Sequence, residues 1–248
     1  MIRHRPAVQG LSVLILLACW HVAASLAASQ LLPGPILVLK AMAVYFGDGE
    51  LLLHIGATLA RVTASFFLAM IVGAAIGIAM GRGSRLDEFF DSWLILFLNV
   101  PALVTIVLCY VWFGLTEAAA VLAVSINKIP NVAITMREGA RALDRELLDM
   151  ADCFHIGWKR TMRYVVLPQL YPYVAVSARS GLALIWKIVL VVELLGRGNG
   201  VGFQLGVFFQ LFDVTGILAY SLAFIVVIQG IEHGLLQPIE RRVTAWKR

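Results

Sequence analysis

Long runs without a single charged residue are the feature that most restricts what this chain can fold into. Residues 6–39, 62–81, 92–116 and 214–231 contain no Asp, Glu, Lys or Arg. A helix needs about 20 mostly apolar residues to cross the hydrocarbon layer of a membrane, and each run is that long or nearly so. Only 14% of the 248 residues are charged, against about 25% in soluble domains. A soluble fold is excluded, because one core of this size could not bury so much apolar surface.

The apolar segments predict an all-α membrane protein of about six transmembrane helices, forming a single domain over residues 1–248. The first stretch exceeds the apolar region of a signal peptide, about 7–15 residues, so we expect it to be a span rather than a cleaved leader. Residues 31–46 begin with Leu-Pro-Gly-Pro and predict a short helix at the membrane surface. The predicted spans are 8–29, 56–80, 91–114, 117–136, 173–195 and 214–236, with a core over 56–236.

The second predicted span contains a stripe of glycines, Gly73, Gly77 and Gly81. This spacing gives two overlapping small-xxx-small steps, which let helix backbones approach closely in lipid. Packing within one subunit is the favoured interpretation, and a contact between two copies is the alternative.

The basic residues predict the orientation in the membrane. With the N-terminus placed inside, 14 of the 20 Lys and Arg residues fall in cytoplasmic segments. The positive-inside rule then places both termini in the cytoplasm, as six spans require. The net charge of +5 does not by itself indicate nucleic acid, and we expect no nucleic-acid partner. The spacing of Cys19, Cys109 and Cys153 suggests neither a disulfide nor a metal site.

A polar loop over residues 137–172 interrupts the apolar pattern. Eleven of the chain's 35 formal charges lie between Arg137 and Arg163. Inside it, apolar residues recur at i, i+3, i+4 and i+7, which puts them on one helix face. These residues are Leu147, Met150, Ala151 and Phe154. A second short helical pattern follows, and its apolar side contains Trp158, Met162, Val165 and Val166. We expect this helix to stop at Pro168, because proline disfavours helical geometry in the preceding residue. Either face could cover the chain's own helices, lie on lipid headgroups or bind a partner.

This loop resembles the EAA motif of ABC importer permeases, whose form is E-A-A-x3-G-x9-I-x-L-P. The matching positions, in motif order, are Asp149, Met150, Ala151, His155, Val165, Leu167 and Pro168. Further segments, among them LLPGPILVL, TLARV, VWFG and VVELLG, resemble the nitrate/sulfonate/taurine type of permease. The resemblance spans roughly residues 31–245.

The resemblance implies a type I ABC importer permease fold and an ATP-driven importer in the bacterial inner membrane. It implies a second copy of the chain, two cytoplasmic ATPase subunits and a periplasmic or lipid-anchored solute-binding protein as partners. The chain has no G-x4-G-K-[ST] phosphate loop, so it is expected to be a transport subunit without cofactors, with ATP and Mg on the ATPase. The loop would be the coupling helix region that docks on the ATPase, with Ala151 small because a partner approaches closely. The implied coupling residues are Asp149, Met150, Ala151, Phe154, His155, Gly157, Leu167 and Pro168.

Two positions depart from the motif. Asp149 shortens the motif's glutamate by one methylene, and His155 replaces its glycine. A glycine there would permit a left-handed backbone, which His tolerates less well. The hypothesis is that Gly157 takes over the turn, and the alternative is that His155 itself has a left-handed backbone.

Six charged residues lie within the predicted spans or at their edges, where charge is costly and usually faces a polar path or a partner. They are Arg61, Lys128, Arg179, Lys187, Glu193 and Asp213. We expect Arg61, Arg179, Lys187 and Glu193 to line or border a translocation path, with Lys187 a buried mid-span cation. Structural ion pairing or snorkelling is the alternative, and snorkelling suits Asp213, Glu193 and Arg61. Four basic against two acidic residues favour a small anionic solute.

Two other functional classes are weaker. A secondary transporter driven by an ion gradient would favour inverted repeats and broken helices, and only Pro101 and Pro130 are candidate breaks. An intramembrane enzyme would need a nucleophile and a base together, but Cys19 and His21 point to different faces of one helix. The residues 196–202, GRGNGVG, predict a flexible external loop.

Overall fold

The computed structural model describes residues 5–27 and 29–236, and every regular element in this part of the chain is helical. The C-terminal segment that the charge pattern places in the cytoplasm lies outside the described residues. The helices are α1 (Arg5–Ala27), α2 (Pro35–Gly47), α3 (Glu50–Arg82), α4 (Ser84–Asn99), α5 (Ala102–Phe113), α6 (Glu117–Arg141), α7 (Arg145–Cys153), α8 (Trp158–Thr161), α9 (Leu167–Gly196), α10 (Val201–Gln210) and α11 (Val214–Ile231). Two π-helical turns, Met162–Val166 and Glu232–Leu236, follow α8 and α11.

The number of spans agrees with the sequence prediction. Among the described residues, five helical segments are long and apolar enough to cross a membrane, and α4 with α5 makes a sixth if the pair is one span. The prediction of an all-α membrane protein with about six spans is therefore confirmed.

The third predicted span is bent rather than straight. The axes of α4 and α5 meet at 96°, with Val100 and Pro101 both in extended backbone conformations between them. Proline disfavours helical geometry in the residue before it, so α4 ends at Asn99. Arg137 at the far end of α6 then holds α4 through ion pairs to Asp87 (3.2 Å) and Asp91 (2.5 Å).

The glycine stripe of α3 packs against α6 within the same chain. A Cβ atom on Gly73 would lie 2.7 Å from the Val132 Cβ, and one on Gly81 would lie 2.6 Å from the Ala140 Cβ. At Gly77 the obstacle is the backbone carbonyl of Ala133. The interpretation of packing within one subunit is confirmed, because this stripe faces α6 rather than a second copy.

The helix that begins at Trp158 does not stop at Pro168. It continues to Gly196, giving 39 residues or about 58 Å at 1.5 Å per residue. The Leu167 amide bonds to the Met162 carbonyl, five residues back, so the helix widens into a π turn just before Pro168. Proline lacks the N–H that an α-helix would need here, and it is tolerated in the first turn of α9. The expectation that Pro168 ends the helix is wrong.

Replacing Gly77 with alanine tests this packing. The added methyl meets backbone atoms that cannot rotate away, so Gly77→Ala is expected to destabilise the folded chain by about 1–3 kcal/mol. The measurement is thermal unfolding of the full-length chain in detergent.

The matched control is Gly56→Ala in the same helix, where a Cβ meets nothing within 4 Å. Alanine favours helix over glycine by up to about 1 kcal/mol, so this variant should melt no lower than the native chain. Equal melting temperatures for the two variants would contradict the described α3–α6 contact.

Candidate functional site: a buried ion-pair cluster, a polar loop and a charged cavity

Arg61 and Glu193 form a buried ion pair between α3 and α9. The Arg61 Nη1 atom lies 2.6 Å from Glu193 Oε1, and the two side chains are 5% and 0% exposed. Arg61 also bonds bidentately to Glu117 at the start of α6, with donor–acceptor distances of 2.8 and 2.7 Å. Its guanidinium further donates to the Asn199 carbonyl at 2.9 Å. Arg61 thus links its own helix, α3, to α6, α9 and the loop after α9.

The same cluster holds the beginning of α10 through backbone amides. The Gly200 amide donates to His54 Nδ1 at 2.9 Å, and the Val201 amide donates to Thr58 Oγ1 at 2.8 Å. The Gly202 amide donates to Glu193 Oε2 at 2.8 Å. A carboxylate at a helix N-terminus is favoured because the helix dipole is positive there.

The loop over residues 196–202 is therefore fixed rather than flexible, and that expectation is wrong. Gly200 has φ +112°, and a Cβ atom there would collide with the Glu193 carboxylate. The glycines let the backbone lie directly against the buried acid. Sequence reasoning missed both this contact and α10, although the apolar run after Gly200 was a signal for a helix.

The pairing changes the interpretation of two predicted path residues. Glu193 is fully enclosed and Arg61 is nearly so, which rules out snorkelling for both in this conformation. Arg61 borders a shallow groove with Glu117 and Asn199, and a role in a path stays a prediction for it. Glu193 offers no exposed surface to a path here.

The polar loop presents an exposed apolar stripe along α7 and its C-cap residue, Phe154. Leu147, Met150 and Phe154 are 40%, 45% and 76% exposed. Ala151, one position further around the helix, is 0% exposed, and α7 packs against the π turn Met162–Val166. The small size of Ala151 is therefore explained by packing within the chain rather than by the approach of a partner, and its role in coupling to an ATPase stays a prediction.

His155 ends α7 with a left-handed backbone, φ +52°. Its amide donates to the Asp152 carbonyl at 3.0 Å, and the Ile156 amide donates to the Ala151 carbonyl at 2.8 Å. This is a Schellman motif, in which the left-handed position usually holds glycine. Gly157 has φ −54° and ψ 149°, so the hypothesis that it takes over the turn is wrong.

Arg179 and Lys187 of α9 line one cavity beside α11. The cavity has a volume of about 320 Å³ and also includes Trp186, Gln229 and Glu232. Lys187 is exposed on the surface of the single chain rather than buried, and its ammonium lies 5.5 Å from the Trp186 ring centre.

The remaining two membrane charges have structural surroundings. Lys128 is 2% exposed, and its Nζ atom lies 3.5 Å from Ser180 Oγ on α9. Asp213 caps α11 by accepting a hydrogen bond from the Gly216 amide at 3.0 Å. Its carboxylate is therefore bound at the start of the helix and is not a snorkelling group.

Comparison with known proteins matches most of the chain to one family. A family model described as "Binding-protein-dependent transport system inner membrane component" matches residues 69–231. The putative aliphatic sulfonates transport permease protein SsuC of Bacillus subtilis is 26% identical over 94% of this chain and 85% of its own length. The taurine transport system permease protein TauC of Escherichia coli is 27% identical over 94% of this chain and 86% of its own length.

Solved structures share the fold. A chain of an amino acid ABC transporter solved with histidines has a TM-score of 0.64 at 19% identity, covering 81% of this chain and 97% of its own length. A chain of the MetNI methionine ABC transporter in an inward-facing conformation has a TM-score of 0.63 at 17% identity, covering 75% and 92%. The described helices therefore have the type I ABC importer permease fold.

The left-handed turn predicts that His155→Gly stabilises the end of α7. Removing the strained Cβ should slow hydrogen exchange of the α7 amides by about fivefold, equivalent to about 1 kcal/mol. Gly157→Ala is the control, because its backbone angles suit any residue and a Cβ there meets nothing within 4 Å. Faster exchange in His155→Gly would mean that the imidazole stabilises this turn.

Removing the buried acid predicts a large loss of stability. Glu193→Ala leaves Arg61 without its most buried partner, and breaking such a pair typically costs about 3–5 kcal/mol. The measurement is thermal unfolding of the full-length chain in detergent. Asp48→Ala, which removes an exposed acid beside α2, is the control and should melt like the native chain. If both variants melt alike, the ion pair contributes nothing to the folded state.

Proposed function

The chain belongs to the family of binding-protein-dependent transport system inner membrane components, and we propose that it forms the path for an anionic solute in such an importer. As the membrane-spanning permease subunit of an ATP-driven ABC importer, it is a multi-pass inner-membrane protein and not itself an enzyme. We further propose a homodimer with two separate ATPase subunits that hold ATP and Mg, and a solute-binding protein outside the membrane. Both termini lie in the cytoplasm in this proposal.

The exposed stripe on α7 is the observation that supports coupling to an ATPase. Leu147, Met150 and the C-cap residue Phe154 leave apolar surface uncovered on a short helix of nine residues, of which Ala151 is buried within the chain. Apolar groups in water gain free energy when a partner covers them. Met150 is one of the positions that resemble the EAA motif, and Leu147 and Phe154 lie within five residues of it, so we propose that these three side chains enter a groove on the ATPase.

The continuous helix after α7 offers a mechanical route from this stripe into the membrane. α7 packs on the π turn Met162–Val166, and α9 continues from that turn. Glu193, near the other end of α9, belongs to the ion-pair cluster. We propose that displacement of α7 by the ATPase tilts α9 as one body, in the manner of rigid elements with two arrangements.

The charge of the solute is proposed from two observations. The names of similar permeases mention sulfonates, taurine and nitrate, which are anions or carry an anionic group. Two basic residues, Arg179 and Lys187, line the α9–α11 cavity with one acidic residue, Glu232. We therefore propose that Arg179 and Lys187 border the path.

An ion-gradient-driven transporter is the less favoured alternative. The break at Pro101 is the feature that such a transporter would share, since broken helices are common in that class. The matching family model describes a component of binding-protein-dependent transport systems, and the similar proteins SsuC and TauC are named as transport permeases. These findings favour the ABC importer over a gradient-driven transporter.

Truncating the most exposed member of the stripe tests the coupling proposal. Phe154→Ala should reduce the amount of ABC ATPase that co-purifies with the tagged full-length chain from native membranes, measured by mass spectrometry and ATP hydrolysis. A buried aromatic anchor is commonly worth more than 2 kcal/mol, so we expect a loss of at least about tenfold.

Asp152→Ala, on the opposite face of α7, is the matched control and should retain the ATPase. Thermal unfolding of the membrane helices should be unchanged in both variants, because neither side chain packs on them. Full ATPase recovery with Phe154→Ala would contradict docking through this stripe.

A further inference from the structure

A groove lined only by apolar and aromatic side chains lies between α3, α4 and α6. It has a volume of about 330 Å³, and its wall includes Ile76, Phe90, Trp93, Phe97, Ile129 and Pro130. One turn of a helix, about 5.4 Å long and about 10–12 Å across, fills roughly 400–600 Å³. The groove is therefore too small to receive a helix of a partner protein, but it can take a linear hydrocarbon chain.

The groove begins just below one surface of the membrane. The uncharged run 62–81 of α3 has 20 residues, which is about 30 Å of helix and matches the thickness of the hydrocarbon layer. Arg82 therefore marks the edge of that layer. Ile76 lies six residues before Arg82, about 9 Å along the helix. The Ile129 carbonyl lies beside Gly73, which is about 14 Å from Arg82, so the groove runs from the surface towards the membrane centre, as an acyl chain does.

Two exposed arginines lie at the membrane-surface end of the groove. Arg82 is in the last turn of α3 and Arg85 is in the first turn of α4, about 8 Å along that helix from Phe90. Among residues 5–27 and 29–236, neither guanidinium forms an ion pair with a carboxylate. Both cations are therefore available to an anion at this depth.

The acids next to these arginines bind other partners. Asp87 and Asp91 form ion pairs with Arg137 at 3.2 and 2.5 Å, and Asp87 also pairs with Arg141. Glu88 is exposed and forms no ion pair within the part of the chain that the structure describes, so it offsets at most one of the two arginines. The anion that would complete the pair has to come from outside the chain.

A phospholipid carries the two required groups in the required order. Arginine binds phosphate strongly, through two parallel hydrogen bonds, and basic pockets between transmembrane helices bind lipid headgroups. Glycerol joins the phosphate of the lipid to its acyl chains, just as the arginine pair at the surface adjoins Ile76 below it. A choline headgroup would bring its own cation towards the arginines, so a headgroup without a cation, such as that of phosphatidylglycerol, is favoured.

We infer that the α3–α4–α6 groove, together with Arg82 and Arg85, binds one anionic phospholipid. Its phosphate contacts the two arginines, and one acyl chain lies along Ile76 and Ile129. The inference goes beyond the proposed function, because it requires that the chain spans a membrane and does not require that it imports a solute.

The test is native mass spectrometry of the full-length chain in detergent, titrated separately with phosphatidylglycerol and with phosphatidylcholine of the same acyl chains. The first phosphatidylglycerol is expected to bind saturably and at least about tenfold more tightly than phosphatidylcholine. The double variant Arg82→Gln with Arg85→Gln should weaken phosphatidylglycerol about tenfold or more and remove this preference, because the phosphate loses both charged donors. The control is Lys159→Gln with Arg160→Gln, which removes the same charge from two exposed residues of α8 and should bind like the native chain.

A second pair of variants tests the acyl chain. Ile129→Phe places a larger side chain in the groove and should weaken phosphatidylglycerol severalfold. Ile95→Phe enlarges an exposed residue of α4 that does not line the groove and should bind like the native chain. Glycerol 3-phosphate, which has the phosphate without acyl chains, should not displace the bound lipid.

Several results would overturn the inference. It fails if phosphatidylglycerol binds no more tightly than phosphatidylcholine, or if the Arg82→Gln with Arg85→Gln variant binds phosphatidylglycerol normally. Displacement of the lipid by glycerol 3-phosphate would show a site for a soluble phosphate instead. Lipid bound only by single chains and lost from dimers would show that a second copy covers the groove.

Discussion

The structure depends on one buried ion pair, between Arg61 and Glu193. A fully enclosed carboxylate is unfavourable unless its oxygens are all bonded. Here Oε1 accepts from Arg61, and Oε2 accepts from the Thr58 hydroxyl at 2.9 Å and the Gly202 amide at 2.8 Å. This arrangement ties α3, α9 and the start of α10 together at one point, and Glu117 extends it to α6.

The ion pair also sets the position of the features proposed for transport. Glu193 fixes one end of α9, while the π turn Met162–Val166 joins the other end to the stripe on α7. The cavity with Lys187 lies between these ends, on the side of α9 that faces α11. In the proposed mechanism, a single helix of 39 residues thus connects the ATPase contact, the solute cavity and the buried cluster.

Local patterns predicted the spans, the polar loop and the glycine packing, because each depends on residues close together in sequence. The pairing of Arg61 with Glu193 could not be predicted in this way, since 132 positions separate the two residues. For the same reason the sequence predicts a flexible loop before α10, although the structure holds it in place: the partners of its amides, His54 and Thr58, lie on α3.

Two errors in the polar loop have local physical reasons. The sequence predicts that the helix ends at Pro168, but the chain stays helical beyond it. The π turn Met162–Val166 just before Pro168 accommodates the N–H that proline lacks. The sequence pattern attributes the small size of Ala151 to a partner because the apolar stripe is wide enough to contact two neighbours. Periodicity identifies such a stripe but does not show which edge of it the chain itself covers. Here the chain covers the edge that contains Ala151.

The most direct test of ATP-driven import is solute uptake into proteoliposomes that contain the full-length chain and its ATPase. The solute-binding protein is supplied with its own solute bound. ATP is enclosed with the ATPase, and ionophores collapse the ion gradients. The account predicts uptake that requires hydrolysable ATP and persists without gradients. Uptake that proceeds without ATP and stops when the gradients collapse would contradict it.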